Sequence, residues 1–348
     1  MAALSPFSEA RAYTAREWVE YSGVRLGAAF GTPAEEYQAA RQTAVLLDRS
    51  QRGLLVVTGS ERLAWLHNLV TNAVRTLTEN SGNYAFAVNI KGRILFDLNI
   101  LCLADALWLD LELPAIAAAA AHFDRYLFRE DVKISDASGQ FARLGCSGPG
   151  SASAAARLGV TNFTAWPALA SVLLSDGETH CVRHDFTGTP AFELIVPRGH
   201  AAAWWDRLVE SGVHPVGFRT LDVLRIEAGL PWLGCDLDEH ILPAETGQTE
   251  RAVSYHKGCY LGQEVIERMR AHGVLNKRLV RLRTADGTGL TLPVVLARDG
   301  LDIGHITSLV PHPREACWVG LGYLKSAVTG FADITAGAPP RAITICSA

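Results

Sequence analysis

The sequence lacks any apolar run long enough to span a membrane, and its N-terminus has no charged segment followed by an apolar one. The first absence excludes a predicted transmembrane helix, and the second excludes a secretory signal peptide. Lysine is scarce, with five lysines against 27 arginines, and the net charge is −4. Because the basic residues are dispersed, no general basic surface is predicted, and neither nucleic acid nor a membrane is an expected partner.

The cysteines lack any recognisable spacing. There are seven, an odd number, and none stands in a Cys-x-x-Cys or Cys/His pattern. This excludes a disulfide framework and a preformed zinc site, so no metal is predicted, and it favours a reducing compartment, which we take to be the cytoplasm. The nucleophile-elbow, His-Glu-x-x-His, Gly-x-Gly-x-x-Gly and phosphate-loop motifs are also missing, so they support no enzyme class here.

The sequence does have the pattern of a globular protein, with 348 residues, 49% apolar and 20% charged, enough for two or three domains. Alternating apolar residues predict strands, and apolar residues at helical spacing predict helices. The predicted strands cover residues 53–58, 84–89, 94–101, 107–113 and 192–196, and the predicted helices cover 60–69 with Ser60 as N-cap, 114–128, 201–211, 218–228 and 263–272. Residues 230–255 predict a long ordered loop, and short apolar runs from Lys277 predict a small all-β barrel or sandwich.

Cys259 stands within the octapeptide 257–264, just before the helix predicted for residues 263–272, which Gly273 closes. A thiol before a helix feels the positive end of the helix dipole, and Lys257 adds a second positive charge. Both effects favour the thiolate. The alternative is an inert buried cysteine, because free cysteine is among the most buried residue types.

Two carboxylates interrupt apolar strands. Asp97 and Asn99 share one face of the strand 94–101, and Glu193 lies opposite the apolar face of the strand 192–196. A carboxylate in such a strand needs a partner or a cavity. Glu193 is suited to accept two parallel hydrogen bonds from an amidine-like ligand edge. The alternatives are a solvated sheet face for Asp97 and a structural ion pair for Glu193.

Arg225 lies near the end of the helix predicted for residues 218–228. Asp222 precedes it by three residues, so a pair on the helix surface is the simplest interpretation of these residues alone.

Taken in order, several segments resemble one superfamily, the folate-binding glycine-cleavage T-protein group, and specifically its YgfZ-type branch. The resemblance spans roughly residues 35–330. The branch signature is Lys257-Gly258-Cys259-Tyr260-Leu261-Gly262-Gln263-Glu264, and the other segments are 83–97, 186–194, 224–231, 242–245 and 304–308.

The resemblance implies an α+β fold, a cloverleaf of two interleaved α/β lobes over residues 1–274 with a C-terminal all-β barrel over 275–348. Reduced folate, tetrahydrofolate or a derivative, would lie in a central channel. Glu193 would bind the pterin edge, and Arg225 would line the site. Asp97 matches the catalytic carboxylate region of the aminomethyltransferases, and Tyr84, on the same hairpin, is assigned to folate binding with it.

Three functions follow from these features. The YgfZ-type branch implies a tetrahydrofolate-binding accessory protein for iron–sulfur cluster assembly or repair, a binder rather than an enzyme, with Cys259 as a functional thiol and assembly or client proteins as partners. The alternative is an aminomethyltransferase acting with a lipoyl carrier protein, for which Asp97 is the warrant. A cysteine-dependent hydrolase is the third, but no His/Asn constellation supports it. The Gly-Cys-Tyr signature makes the accessory function our expectation.

Overall fold

The computed structural model describes residues 2–273 and 275–347. They form a mixed α/β structure in which two sheets face each other and a C-terminal barrel packs beside them. A small N-terminal sheet has the strand order Ala3–Leu4, Val24–Ala29 and Glu17–Tyr21.

The first of the facing sheets has five antiparallel strands. Their spatial order is Gly82–Val88, Ile94–Cys102, Ala106–Glu112, Arg52–Thr58 and Lys133–Asp136. The predicted hairpin is confirmed, since the first two strands pair and Gly92 takes a φ of 70° in the turn between them. On the outer, apolar face of this sheet, Leu98 and Leu109 pack against Trp65 and Phe123 of two helices. Because side chains alternate along a strand, the residues next to these leucines point to the inner face.

The second facing sheet has six strands. Their spatial order is Ser171–Leu173, His180–Arg183, Ala191–Pro197, Phe141–Ser147, Val45–Asp48 and His214–Val216. One of these strands, Val45–Asp48, precedes the whole five-stranded sheet in the chain, and the others follow it. The two lobes are therefore interleaved, as predicted. The outer face of this sheet packs Leu144 and Phe192 against Trp205.

The helices cover the outer faces of the sheets or connect them. The α-helices are Pro33–Gln42, Arg62–His67, Ile116–Asp124, Ser151–Arg157, Ala201–Glu210, Phe218–Glu227, Thr249–Ala252 and Gln263–His272, and the 3₁₀ turns are Leu113–Ala115, Phe163–Ala165, Arg198–His200 and Pro243–Glu245. None of the helices in the described part of the chain is both long and apolar enough to cross a membrane.

Two predicted helices need correction. The helix expected from Ser60 begins at Arg62 without a side-chain cap, because the Ser60 hydroxyl donates to Asp131 instead. The helix expected over residues 114–128 is a 3₁₀ turn followed by nine residues of α-helix. The helix predicted for residues 263–272 has the observed bounds, and Gly273 closes it with a φ of 64°.

The barrel is a seven-stranded sheet that nearly closes on itself. The strand order is Arg341–Ala342, Thr335–Ala336, Val294–Arg298, Leu301–Pro311, Trp318–Lys325, Lys277–Thr284 and Thr344–Ser347. The two outermost strands are separated in the chain only by Ile343. The apolar runs alone do not show the longest strand, Leu301–Pro311, because Gly304 and His305 break its apolar pattern, although the resemblance includes residues 304–308. The boundary placed between residues 274 and 275 stays a prediction, and residues 1, 274 and 348 lie outside the described part.

Candidate functional site

A buried group of polar and charged side chains lies between the two facing sheets, bordered by apolar residues such as Phe86, Trp108 and Ile195. We call it the polar cluster. Its members are Arg49, Gln51, Arg52, Tyr84, Asp97, Asn99, Asp110, Glu112, Arg143, His184 and Glu193. The structure thus brings together three of the predicted site residues, Tyr84, Asp97 and Glu193.

Asp97 forms one end of the polar cluster. The Tyr84 hydroxyl donates to Asp97 Oδ2 at 3.0 Å, while Asp97 Oδ1 is buried and has no hydrogen-bond partner among the described residues. Burial raises the pKa of Asp97, and the positive charge of Arg52 and the Tyr84 hydrogen bond only partly oppose it. The solvated sheet face considered for Asp97 is wrong, because the residue is 6% exposed.

Asp110 links the two sheets. Its carboxylate accepts hydrogen bonds from Asn99 at 2.7 Å and Arg52 at 2.9 Å. Arg143, from the six-stranded sheet, lies 3.3 Å from Asp110 Oδ1, and Arg52 also reaches Glu112 at 2.8 Å. Burial would raise the pKa of Asp110, but the two guanidiniums outweigh burial and lower it.

Glu193 forms the other end. Arg49 Nε donates to Glu193 Oε1 at 2.8 Å, and His184 Nδ1 lies 2.9 Å from Glu193 Oε2. Arg143 Nη1 is 3.8 Å from the same oxygen. Burial alone would raise the pKa of Glu193, but Arg49 and His184 hold it well below its usual range. Glu193 is therefore in a structural ion pair, and lone pairs remain on its oxygens for a ligand.

Several polar atoms of the cluster have no partner in the described part of the chain. They are Arg49 Nη1, Gln51 Nε2 and Oε1, Asp97 Oδ1, Asn99 Oδ1 and Arg143 Nη2. Leaving a buried donor or acceptor unsatisfied costs roughly 1–3 kcal/mol. So many of them in one place indicates a site that a polar ligand or water completes.

Asp110, His184 and Glu193 have ligand atoms close enough together to hold a cation. Both carboxylates already pair with guanidiniums, from Arg143 on Asp110 and Arg49 on Glu193. These positive charges oppose cation binding, so we assign no metal to the cluster.

Arg225 lies outside the polar cluster. It is 2% exposed, and its guanidinium donates to Asp222 at 2.7 Å, Asp236 at 2.5 Å and Ser308 at 2.8 Å. Its carbon Cζ also lies 4.5 Å from the centre of the Trp232 ring. These bonds connect the helix, the long loop and the barrel. The predicted surface pair with Asp222 is thus part of a buried network, and a folate-lining role for Arg225 stays a prediction.

The octapeptide 257–264 packs against the end of the helix Arg62–His67. Lys257 Nζ donates to the carbonyl oxygens of His67, Val70 and Asn72. The predicted electrostatic support from Lys257 is therefore directed at backbone carbonyls rather than at the thiol. Cys259 itself is exposed, so the alternative of an inert buried cysteine is wrong.

Gly262 fixes the octapeptide against the hairpin turn. Its φ is 77°, and a Cβ there would lie 2.4 Å from the Asn89 carbonyl oxygen. We expect Gly262→Ala to lower the free energy of unfolding by about 1–3 kcal/mol, measured by urea unfolding. Gly258→Ala is the matched control, because a Cβ at Gly258 would have no described residue within 4 Å other than its chain neighbours. Equal stability of the two variants would contradict this account.

Sequence reasoning missed several members of the cluster. Asp110 could have been found, since Trp108, Asp110 and Glu112 lie opposite the leucine face of their strand, as Asp97 does in its own. Arg143 alternates in the same way with apolar neighbours. For Arg49, Gln51 and His184 the local pattern gives no comparable signal.

Two facing sheets from interleaved lobes, a buried polar cluster between them and an attached barrel make up a T-protein-like architecture. The family model described as the GCVT N-terminal domain matches residues 7–257, and the chain belongs to this family.

Relatives agree with this assignment. The chain is 27% identical to the aminomethyltransferase of Thermoanaerobacter pseudethanolicus and 29% identical to that of Thermoanaerobacter sp. (strain X514). Each match covers 322 residues, 88% of this chain and 85% of the relative. The crystal structure of glycine cleavage system aminomethyltransferase T from Bartonella henselae is 21% identical, with a TM-score of 0.88 over 100% of this chain and 97% of that chain. The predicted α+β T-protein-like fold is thereby confirmed, and the YgfZ-type branch stays a prediction.

Proposed function

We propose that the protein binds a reduced folate at the polar cluster and acts as a folate-dependent aminomethyltransferase. Relatives named aminomethyltransferase align over 88% of the chain, which supports the transferase function better than the accessory function expected from the sequence. The observation that carries the proposal is Asp97, a buried carboxyl group with one oxygen held by Tyr84 and the other without a hydrogen-bond partner in the described part of the chain.

The residues of the polar cluster fit a pterin. Its unpartnered atoms include acceptors, such as Asp97 Oδ1, and donors, such as Arg143 Nη2, and a pterin offers both kinds of group. Glu193 would accept from N–H groups at one end of the ligand. When bound, tetrahydrofolate supplies the nitrogen atoms that receive the one-carbon unit.

Asp97 would do the proton chemistry at the other end. Its Oδ1 can accept or hold a proton from an amine of the substrate, while the hydrogen bond from Tyr84 fixes the orientation of the carboxyl group. The apolar residues around the cluster, including Phe86 and Trp108, limit the access of water to this oxygen.

The test combines folate titration with a turnover assay on one sample. Purified protein supplied with an aminomethyl-lipoyl carrier protein and tetrahydrofolate should release ammonia. If folate binds but a competent carrier gives no ammonia, the transferase function is wrong and a binding function remains. If folate does not bind, both are wrong.

A second candidate is the accessory function in iron–sulfur cluster maintenance. The exposed thiol of Cys259 supports it, because Lys257 and Gly262 hold the segment in place around this side chain. A fixed, accessible thiol suits contact with a partner protein or a cluster better than a structural role.

For this candidate we expect Cys259→Ala to lower the activity of cluster-dependent enzymes in cells while folate affinity stays the same, because the thiol lies outside the polar cluster. Cys346→Ala is the matched control, since Cys346 is also exposed. The measurements are enzyme activities in complemented cells and the folate Kd of each purified variant. Unchanged cluster enzymes in the Cys259 variant would rule this function out.

A further inference from the structure

Two guanidinium groups flank the Glu193 carboxylate, and each has a nitrogen with no acceptor among residues 2–273 and 275–347. Arg49 bonds Glu193 through Nε, which leaves Nη1 unpartnered. Arg143 approaches Asp110 and Glu193 through Nη1, which leaves Nη2 unpartnered. Arg49 is 3% exposed and Arg143 is 4% exposed, so bulk water does not solvate them freely.

Buried N–H groups of a guanidinium need an acceptor, and the charge balance of the cluster limits what that acceptor is. The cluster contains four carboxyl groups, Asp97, Asp110, Glu112 and Glu193, against three guanidiniums, Arg49, Arg52 and Arg143, and the imidazole of His184, so its positive groups do not outnumber its carboxyl groups even when His184 is protonated. There is no surplus positive charge to neutralise an anion, and a buried uncompensated charge is strongly unfavourable. A neutral oxygen, such as a carbonyl, satisfies the donors without adding charge.

The position of these donors limits the ligand further. They lie beside a carboxylate whose remaining lone pairs accept N–H groups. A ligand edge that fits both therefore carries a carbonyl oxygen next to N–H donors, as a lactam does. The 4-oxo group and the adjacent N–H of a pterin form such an edge.

We propose that Arg49 and Arg143 are specificity-determining residues that receive the 4-oxo group of the pterin. This inference rests on the proposed folate binding and adds to it the residues that select 4-oxo over 4-amino pterins. An analogue with an amino group at position 4 would place its N–H donors against the N–H donors of the two guanidiniums, so it should bind more weakly.

The test compares tetrahydrofolate with its 4-amino-4-deoxy analogue by calorimetric titration. We expect the wild type to bind the 4-oxo ligand at least about tenfold more tightly, because the mismatch leaves charged donors unpaired. Arg143→Lys and Arg49→Lys retain the charge and lose the Nη groups, so each should reduce the preference to within about threefold. Arg198→Lys, at an exposed arginine, should keep the wild-type preference.

The outcomes separate the two proposals. If the wild type binds both ligands with equal Kd, the guanidinium N–H groups of Arg49 and Arg143 do not select the 4-oxo group, and this inference alone is overturned. If it binds neither, the proposed function falls and this inference with it. A wild-type preference that both lysine variants retain at full size would also overturn the assignment to Arg49 and Arg143. Thermal unfolding of each variant verifies that the fold is intact, and the wild-type comparison does not depend on any variant.

Discussion

Asp97→Asn should lower the rate of ammonia release by about 10²–10⁴-fold while folate still binds, because the amide cannot take up the proton that the carboxylate accepts. Tyr84 donates to one Asp97 oxygen, and an asparagine oxygen can accept the same hydrogen bond, so the local geometry should persist. The measurements are single-turnover rates and the folate Kd of the purified variant. Asp105→Asn is the control, since Asp105 is exposed in the turn after the same strand.

The same substitution should change stability in a pH-dependent way. Burial raises the pKa of Asp97 in the folded protein, so the protonated form is the one that the fold favours. The contribution of Asp97 to stability is fully present below the unfolded-state pKa of about 3.9, and it is lost as the pH rises through the raised folded-state pKa.

At pH 7 the buried, ionised carboxylate of Asp97 therefore lowers the stability of the wild type, and asparagine removes this unfavourable charge. We expect the melting temperature of Asp97→Asn to exceed that of the wild type at pH 7, and the difference to vanish toward pH 4. Loss of turnover together with a gain in stability would mark Asp97 as a functional carboxyl group. A variant that keeps full turnover would remove Asp97 from the chemistry, and one that is less stable at pH 7 would show that Asp97 has a structural role instead.

Site residues could be predicted from the sequence only where a few consecutive residues carry the relevant pattern. Asp97 and Glu193 were found because strand alternation is a property of a few consecutive residues, and it assigns a face to each. Arg49 was not found as a partner of Glu193, since it precedes Glu193 by 144 residues and the two meet only when separate strands pair. Lys257 was misassigned for the same reason, because its acceptors lie as many as 190 residues away.

The resemblance supplied the interleaving of the lobes, which periodicity could not predict, whereas the short apolar runs after Lys277 already predicted a barrel or sandwich. It did not supply the unpartnered donors of Arg49 and Arg143, which depend on side-chain geometry between the sheets. The fold follows from the family, whereas these donor atoms can be identified only from the side chains of this protein.

Substitution of Arg225 distinguishes two roles for this residue. The resemblance places it at the folate site, whereas its contacts place it in a buried network between the lobes and the barrel. Arg225→Met leaves Asp236 buried at 2% exposure without its guanidinium. Breaking a buried pair on one side costs about 3–5 kcal/mol, and we expect the free energy of unfolding to fall by that amount in urea unfolding. Asp236 also accepts hydrogen bonds from Thr307 and Ser308 of the barrel, so the barrel should detach from the lobes early and become sensitive to limited proteolysis.

The matched control lies on the same helix. Arg219→Met removes an ion pair with Glu17 in which both side chains are more than half exposed, at 57% and 52%, so its cost should stay below about 1 kcal/mol.

Adding Asp236→Asn to Arg225→Met removes the unpaired charge and should recover part of the lost stability. If Arg225→Met instead weakens folate binding and leaves unfolding unchanged, the residue lines the folate site as the resemblance implies. The link between lobe and barrel would then rest on the hydroxyl groups of Thr307 and Ser308.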